Sequence, residues 1–190
     1  QDNSRAGDWT AGQTNPVAVP QWVYVWTNLT ATSSQFYIYL QSAGDIYVDD
    51  FKLVPGLVPE SGTNLLADGD FESPHGPPWH LTANFSSSAI STVPQHHGPN
   101  SLHVIATSAG SGNGNAIYQD TTTALTTGAN YTLSFWYLQT TNGGPLATRL
   151  SNATTVPTFN VTAPAVVAAP ATPGTANSVA KTLPAFPSLW

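Results

Sequence analysis

Short apolar runs with an alternating pattern dominate this chain and limit it to a fold built from β-strands. Aromatic and β-branched residues recur with a period of two, and clusters of Gly, Pro, Asn and Ser separate the runs. No stretch keeps a helical 3.6-residue repeat over three turns. The pattern predicts an all-β sandwich. Its predicted strands cover residues 21–27, 35–41, 45–54, 64–71, 101–107, 116–121, 130–138 and 146–150.

Charged residues are scarce, and this limits the partners that the protein can have. They make up 7% of the 190 residues, the net charge is -6, and four residues are Lys or Arg. Nucleic acid is therefore not expected as a partner, because phosphate binding requires clustered Lys and Arg. No apolar segment is long enough to cross a bilayer, so we expect no membrane insertion.

The remaining composition indicates the compartment. Cysteine is absent, which excludes disulfides and thiolate metal sites. Ser, Thr, Asn, Gln and Gly supply most of the polar character, as in many secreted bacterial β-proteins. We therefore expect an extracellular protein, secreted or cell-surface, from a bacterium.

Breaks in the pattern divide the chain into four segments. Residues 55–63, which contain Gly56, Pro59 and Gly62, form a short connector between residues 1–54 and residues 64–151. Residues 152–190 are rich in Pro and Ala. Repeated proline removes backbone donors and favours extended backbone, so the sequence predicts an extended C-terminal segment there.

Two phrases carry a family resemblance. The phrase NLLADGDFES occupies residues 64–73, and the phrase IYVDDFKLV occupies residues 46–54. Together with the runs SLHV (101–104) and YTLSFWY (131–137), they resemble the galactose-binding-like jelly roll of bacterial carbohydrate-binding modules. In that family the first phrase opens a domain and the second closes one. The resemblance implies a jelly-roll β-sandwich, but here the closing phrase precedes the opening phrase.

This inverted order leads to two hypotheses. In the first, residues 1–54 are the C-terminal half of one jelly roll and residues 64–151 are the N-terminal half of another, and each half exposes unpaired strand edges. Half-domains of neighbouring copies would then complete one another and produce a filament or surface array of a structural protein. In the second, the halves close within one chain as a circularly permuted carbohydrate-binding module that attaches to polysaccharide. The first hypothesis is favoured at this stage.

The resemblance also implies a structural calcium ion where the first and last strands of such a module meet. Transferred to this chain, its ligands are Asp70 and Glu72 of the opening phrase and Asp49 or Asp50 of the closing phrase. Carboxylate and carbonyl oxygens are the ligands that calcium requires.

An aromatic stripe is the candidate carbohydrate or interface surface. In the run from Trp22 to Trp26, the period of two places Trp22, Tyr24 and Trp26 on one side and Val23 and Val25 on the other. An exposed aromatic stripe is typical of a glycan platform or a protein interface. The alternative, that the aromatic side is the core, stays open at this point.

No catalytic motif is present, and we expect no enzyme. Nucleophile-elbow, P-loop and zinc-protease phrases are missing, and the two glutamates of the chain lie in the connector and in the opening phrase. Sequons for N-glycosylation occur at Asn28, Asn84, Asn152 and Asn160.

Overall fold

The computed structural model describes residues 21–73 and 78–150, together with the backbone of residues 158–159. The described chain forms two antiparallel five-stranded sheets, which confirms the predicted all-β sandwich. Its strands are β1 (Val23–Thr30), β2 (Gln35–Leu40), β3 (Gly44–Pro55), β4 (His80–Leu81), β5 (Ala89–Ser91), β6 (Ser101–Ala106), β7 (Ile117–Asp120), β8 (Asn130–Gln139), β9 (Leu146–Leu150) and β10 (Thr158–Phe159). Short 3-10 helices cover Ala83–Phe85 and Asn113–Asn115.

Each sheet contains strands from both sides of the connector. The first sheet has the order β1-β8-β3-β6-β5, and the second has the order β10-β9-β2-β7-β4. Strand β3 pairs with β6 and β8, and β2 pairs with β7 and β9. Strands β2 and β3 therefore have partners on both sides within one chain. This arrangement favours the permuted-module hypothesis and gives no support to the filament.

The core lies between the two sheets and is rich in aromatic rings. On β8 the odd positions, from Tyr131 to Tyr137, face inward as the alternation predicts. Neighbouring rings within the core have centroids 4.7 to 6.2 Å apart; these rings belong to Phe36, Phe51, Phe71, Trp79 and Phe135. Burial of such rings is the main stabilising term, since truncation of a buried Phe or Trp to Ala costs about 3–5 kcal/mol.

The predicted strand at residues 64–71 is wrong. Asn64 replaces the ladder there: its Oδ1 accepts hydrogen bonds from the amides of Leu53 (2.9 Å) and Leu66 (3.0 Å), and its Nδ2 donates to the carbonyl of Phe51 (2.8 Å). The segment then turns, with Asp68 at φ 47° and Phe71 at φ 57°. A strand requires negative φ, so these residues cannot continue a ladder. The opening phrase is a loop held to β3 by the Asn64 side chain and by two backbone hydrogen bonds, from the Leu65 amide to the Leu53 carbonyl and from the Phe51 amide to the Gly69 carbonyl.

Three strands were not predicted from the sequence. Strands β4, β5 and β10 have two or three residues each, too few for an alternating pattern to show. Strand β10 pairs with β9 and lies within the predicted extended C-terminal segment. The rest of that segment, with Asn152 and Asn160, lies outside the described residues.

In the part of the chain that the structure describes, no helix has the length and apolar character needed to cross a membrane.

Candidate functional site

The outward surface of the first sheet carries a continuous set of polar and aromatic side chains. On β8 the even positions Thr132, Ser134 and Trp136 point away from the core because the odd positions fill it. The antiparallel register places Tyr24 of β1 opposite Trp136, and Trp26 opposite Ser134. Cross-strand partners in this register contact one another on the same side of the sheet.

Four rings of this surface form a row. Tyr24 and Trp136 have ring centroids 5.3 Å apart, and His96 stacks on Trp136 at 3.7 Å with an interplanar angle of 17°. Trp22 meets the edge of His96 at 5.8 Å. Tyr24 remains 38% exposed and Trp26 51% exposed. The aromatic stripe of β1 therefore faces solvent, while Val25 packs partly against the core.

A β-bulge on β3 adds charged groups next to the rings. Asp49 pairs with Trp136 and Lys52 with Ser134, so β3 has one more residue than β8 between these pairs. Asp50 sits in the bulge with φ 54°. Bulges of this kind redirect side chains and often occur beside functional sites. Here the extra residue keeps Phe51 in the core while Asp50 and Lys52 face outward.

These elements enclose an open cleft of about 590 Å³. Tyr24 and Trp136 line it together with residues of the opening phrase. Its lining residues are Tyr24, Asp50, Phe51, Lys52, Glu60, Asn64, Leu66, Asp68, Gly69, Asp70 and Trp136. Concave sites with aromatic surfaces and a few fixed polar groups are the usual form of small-molecule and sugar sites. The arrangement can stack an apolar ring face and exchange hydrogen bonds with hydroxyl groups.

Glu60 of the connector is the best-fixed charged group of the cleft. It forms an ion pair with Lys52 (Nζ to Oε2, 3.2 Å) and accepts hydrogen bonds from the hydroxyls of Tyr24 (3.1 Å) and Ser134. Burial tends to raise its pKa. Hydrogen bonds from these three side chains outweigh burial and hold the pKa of Glu60 below its ordinary value. Glu60 is therefore a carboxylate at neutral pH.

Asp49, the first predicted calcium ligand, organises a turn instead of facing the cleft. It is fully buried, and its Oδ2 accepts hydrogen bonds from the amides of His96 (2.9 Å) and His97 (3.3 Å), while its Oδ1 accepts one from Asp50 (2.8 Å). Burial raises the pKa of Asp49 to about 6, although the amides favour the charged form. Its oxygens are thus engaged by backbone donors.

The other three predicted ligands have separate partners. Asp50 Oδ2 lies 2.9 Å from His96 Nδ1, and Asp70 faces the cleft. Glu72 accepts hydrogen bonds from the amide (3.0 Å) and the side chain (3.1 Å) of Asn100. Although Asp68 Oδ2 is buried without a hydrogen-bond partner in the described residues, no three acidic or histidine side chains of residues 21–73 and 78–150 are grouped to hold a metal ion. The four acids do not form one ligand set in this arrangement, and calcium binding stays a prediction.

The structure distributes the remaining predicted residues unevenly. Tyr24 lines the cleft, Trp22 lies beside it against His96, and Trp26 lies on the same surface outside the lining. The sequon residue Asn28 is exposed on β1, where its side-chain amide lies 2.8 Å from the Thr132 hydroxyl, and Asn84 donates a hydrogen bond to the carbonyl of Ser108.

The cleft residues Lys52, Glu60 and Asn64 were not predicted from the sequence as site residues. The phase change on β3, from inward Ile46 and Val48 to inward Phe51 and Leu53, could have revealed the bulge that brings Lys52 outward. Glu60 gave no such signal, because it lies in a segment without periodicity.

Comparison with known proteins supports the carbohydrate resemblance. Residues 63–156 match the family model described as a carbohydrate binding domain. Searches of curated proteins and of solved structures found no match. The matched segment starts beside the opening phrase and includes β4 to β9, whereas β1 to β3 and most of the connector precede it. The match and the all-β sandwich confirm the resemblance to jelly-roll carbohydrate-binding modules.

Proposed function

We propose that the sandwich is a non-catalytic carbohydrate-binding module, and that its cleft binds a polysaccharide without acidic sugars. The observation that carries this proposal is the pair of Tyr24 and Trp136 beside fixed polar groups, in a chain whose segment 63–156 matches a carbohydrate binding domain. Pyranose rings have apolar faces, which aromatic side chains contact, and hydroxyl edges, which polar side chains bind.

The charges of the cleft support the choice of ligand. Four acidic side chains, Asp50, Glu60, Asp68 and Asp70, line it together with one cation, Lys52. An anionic ligand would place its charge against this excess of carboxylates, and like-charge contacts disfavour the wrong partner. Neutral polysaccharides avoid that cost.

The state of Glu60 supports a binding role without catalysis. A glycosidase needs a carboxylic acid whose pKa is raised, so that it can protonate the leaving group. The pKa of Glu60 is instead lowered, and the carboxylate is held by Lys52. A group fixed in this way accepts hydrogen bonds but is a poor general acid.

Affinity electrophoresis in gels containing arabinoxylan, galactomannan, mixed-linkage β-glucan or polygalacturonate tests this proposal. We expect at least one neutral polysaccharide to retard the protein. Tyr24→Ala should weaken that retardation about tenfold or more, because it removes one of the two stacking rings. Tyr47→Ala is the matched control, since Tyr47 stacks on His103 on the same sheet surface but does not line the cleft.

The retardation of the wild type and of its aromatic variants tests the proposed function. Retardation by no neutral polysaccharide, or equal retardation of the wild type and Tyr24→Ala, would contradict the proposed function. If the Tyr24→Ala variant binds more weakly, Trp22→Ala and Trp26→Ala determine which other rings of the aromatic stripe contact the ligand. A loss in Trp26→Ala as large as that in Tyr24→Ala would place the ligand along the strand instead of in the cleft.

A further inference from the structure

The connector is built into the candidate site and does not simply join two segments. It leaves the end of β3 and lies against β8, where the Gly56 amide donates to the carbonyl of Asn130 (2.9 Å) and the Thr132 hydroxyl donates to the carbonyl of Gly56 (2.8 Å). It then reaches Ser134 and, one strand further, Tyr24, through the carboxylate of Glu60. The connector therefore crosses the outward surface of the first sheet beside the cleft.

Glu60 and Lys52 hold each other in one orientation. The Lys52 ammonium contacts the Glu60 side chain at 3.2 Å and also donates to the Glu60 backbone carbonyl at 3.0 Å. Two contacts to one residue fix the position of the ammonium better than one ion pair does. The hydroxyls of Tyr24 and Ser134 fix the carboxylate from the other side. A ligand in the cleft therefore meets a preorganised pair of charges.

This charge pair retains capacity for a ligand. A carboxylate accepts about four hydrogen bonds, and the described residues supply Glu60 with three; an ammonium donates three, and Lys52 uses two. Half of the Glu60 side chain remains exposed. One acceptor and one donor thus stay available side by side. Neighbouring hydroxyls of a pyranose, each able to donate and accept, match such a pair.

We propose that the connector is part of the saccharide site and that Glu60 is a specificity-determining residue, which binds hydroxyl groups together with Lys52 and excludes uronic acids by its charge. This inference rests on the proposed function, because it assigns a role within the same cleft. It goes beyond the family match, which begins at residue 63, after Glu60. The connector thereby supplies a ligand contact that the matched segment lacks.

The experiment separates the hydrogen bond from the charge. Affinities of the wild type, Glu60→Gln and Glu60→Ala are measured for the neutral polysaccharide that retards the protein and for polygalacturonate at low ionic strength. Glu60→Gln keeps an acceptor and removes the charge, whereas Glu60→Ala removes both. Asp120→Asn is the matched control. Asp120 is an exposed acid on β7 of the second sheet, so this substitution removes the same charge at a position outside the cleft. Thermal melts verify that each variant is folded.

We expect Glu60→Ala to bind the neutral polysaccharide about tenfold more weakly, in line with the loss of hydrogen bonds to a charged group. We expect Glu60→Gln to shift the ratio of polygalacturonate to neutral binding at least threefold towards polygalacturonate, with Asp120→Asn unchanged. A purely structural role would weaken both ligands alike and leave the ratio constant.

Three results overturn this inference. Weaker binding of both ligands at a constant ratio would make Glu60 a structural residue and leave the proposed function standing. If the wild type binds a neutral polysaccharide and Tyr24→Ala weakens it, but both Glu60 variants keep wild-type affinity and ratio, the role of Glu60 is wrong and the proposed function stands. If the wild type binds no saccharide, both proposals are wrong.

Discussion

The two outward surfaces of the sandwich both carry aromatic stripes, but only one stripe is open to solvent. On the first sheet, Tyr24 and Trp26 of β1 are 38% and 51% exposed. On the second sheet, Tyr37 and Tyr39 of β2 occupy the same kind of position, opposite the inward Phe36, yet they are 3% and 5% exposed.

A loop accounts for the difference. Gly110 donates its amide to the carbonyl of Leu40 (2.7 Å), and a Cβ on Gly110 would lie 2.4 Å from that of Tyr39. Arg149 lies over the ring of Tyr37 at 5.5 Å and donates to the carbonyl of Ser111 (3.3 Å). The segment around Gly110 therefore covers the stripe. An alternating aromatic run thus predicts a strand with two distinct sides. The loops that pack on the sheet decide whether the outward aromatic side remains exposed to a ligand.

The largest effect is expected on stability, when a tyrosine of the covered stripe and a tyrosine of the exposed stripe are each truncated. Tyr37→Ala removes a buried ring and should lower the free energy of unfolding by about 3–5 kcal/mol, whereas Tyr24→Ala should lower it by about 1 kcal/mol or less. Urea denaturation monitored by circular dichroism measures both. Similar losses in the two variants would show that the surfaces do not differ in the way described.

The covering loop itself can be tested by a smaller change. Gly110→Ala brings a methyl group within 2.4 Å of the Tyr39 Cβ and 2.5 Å of the Asn115 carbonyl oxygen, so the loop or the strand must shift. Overpacking of this kind costs about 1–3 kcal/mol. Gly114→Ala in the same segment meets nothing within 4 Å and should change stability by less than about 0.5 kcal/mol. Equal denaturation midpoints for the two variants would disprove the close approach at Gly110.

One covered position on the exposed surface gives the most specific effect, because the effect depends on pH. Asp49 faces outward from the first sheet but is fully buried, and burial raises its pKa to about 6. The folded state therefore binds a proton that the unfolded state has already released above pH 4, so stability should fall as pH rises from about 4 to 6.

That contribution amounts to roughly 2–3 kcal/mol at one pKa unit per 1.36 kcal/mol. Asp49→Asn cannot titrate at this position. The unfolding free energy of the wild type minus that of Asp49→Asn should therefore decrease as pH rises from about 4 to 6. Parallel pH profiles of the two proteins would mean that Asp49 titrates normally.

The sequence predicted most of the fold because the alternation is strong. The bounds of β9 agree with the prediction, and those of β2, β3, β6, β7 and β8 differ by one residue at most at either end. The failure at residues 64–71 has a local cause: the Asn64 side chain bonds the Leu53 amide and the Phe51 carbonyl of β3, and the backbone of Leu65 and Gly69 adds one hydrogen bond each, so no regular ladder forms.

The candidate site was predictable only in part. The period of two on β1 grouped Trp22, Tyr24 and Trp26, and the same period on β8 separates Trp136 from the core. Neither pattern could show that Trp136 lies beside Tyr24, because register between distant strands is set by pairing across the sheet.

Sequence alone determined that this chain forms strands whose side chains alternate between two sides, since each side chain's side follows from its parity along a regular strand. It also carried the two phrases in inverted order. Only the tertiary structure decided that these segments pair within one chain, that one aromatic stripe is covered, and that Glu60 meets Tyr24 and Lys52. The physical reason is that burial and hydrogen bonding between residues far apart depend on how strands and loops pack, which local periodicity does not encode.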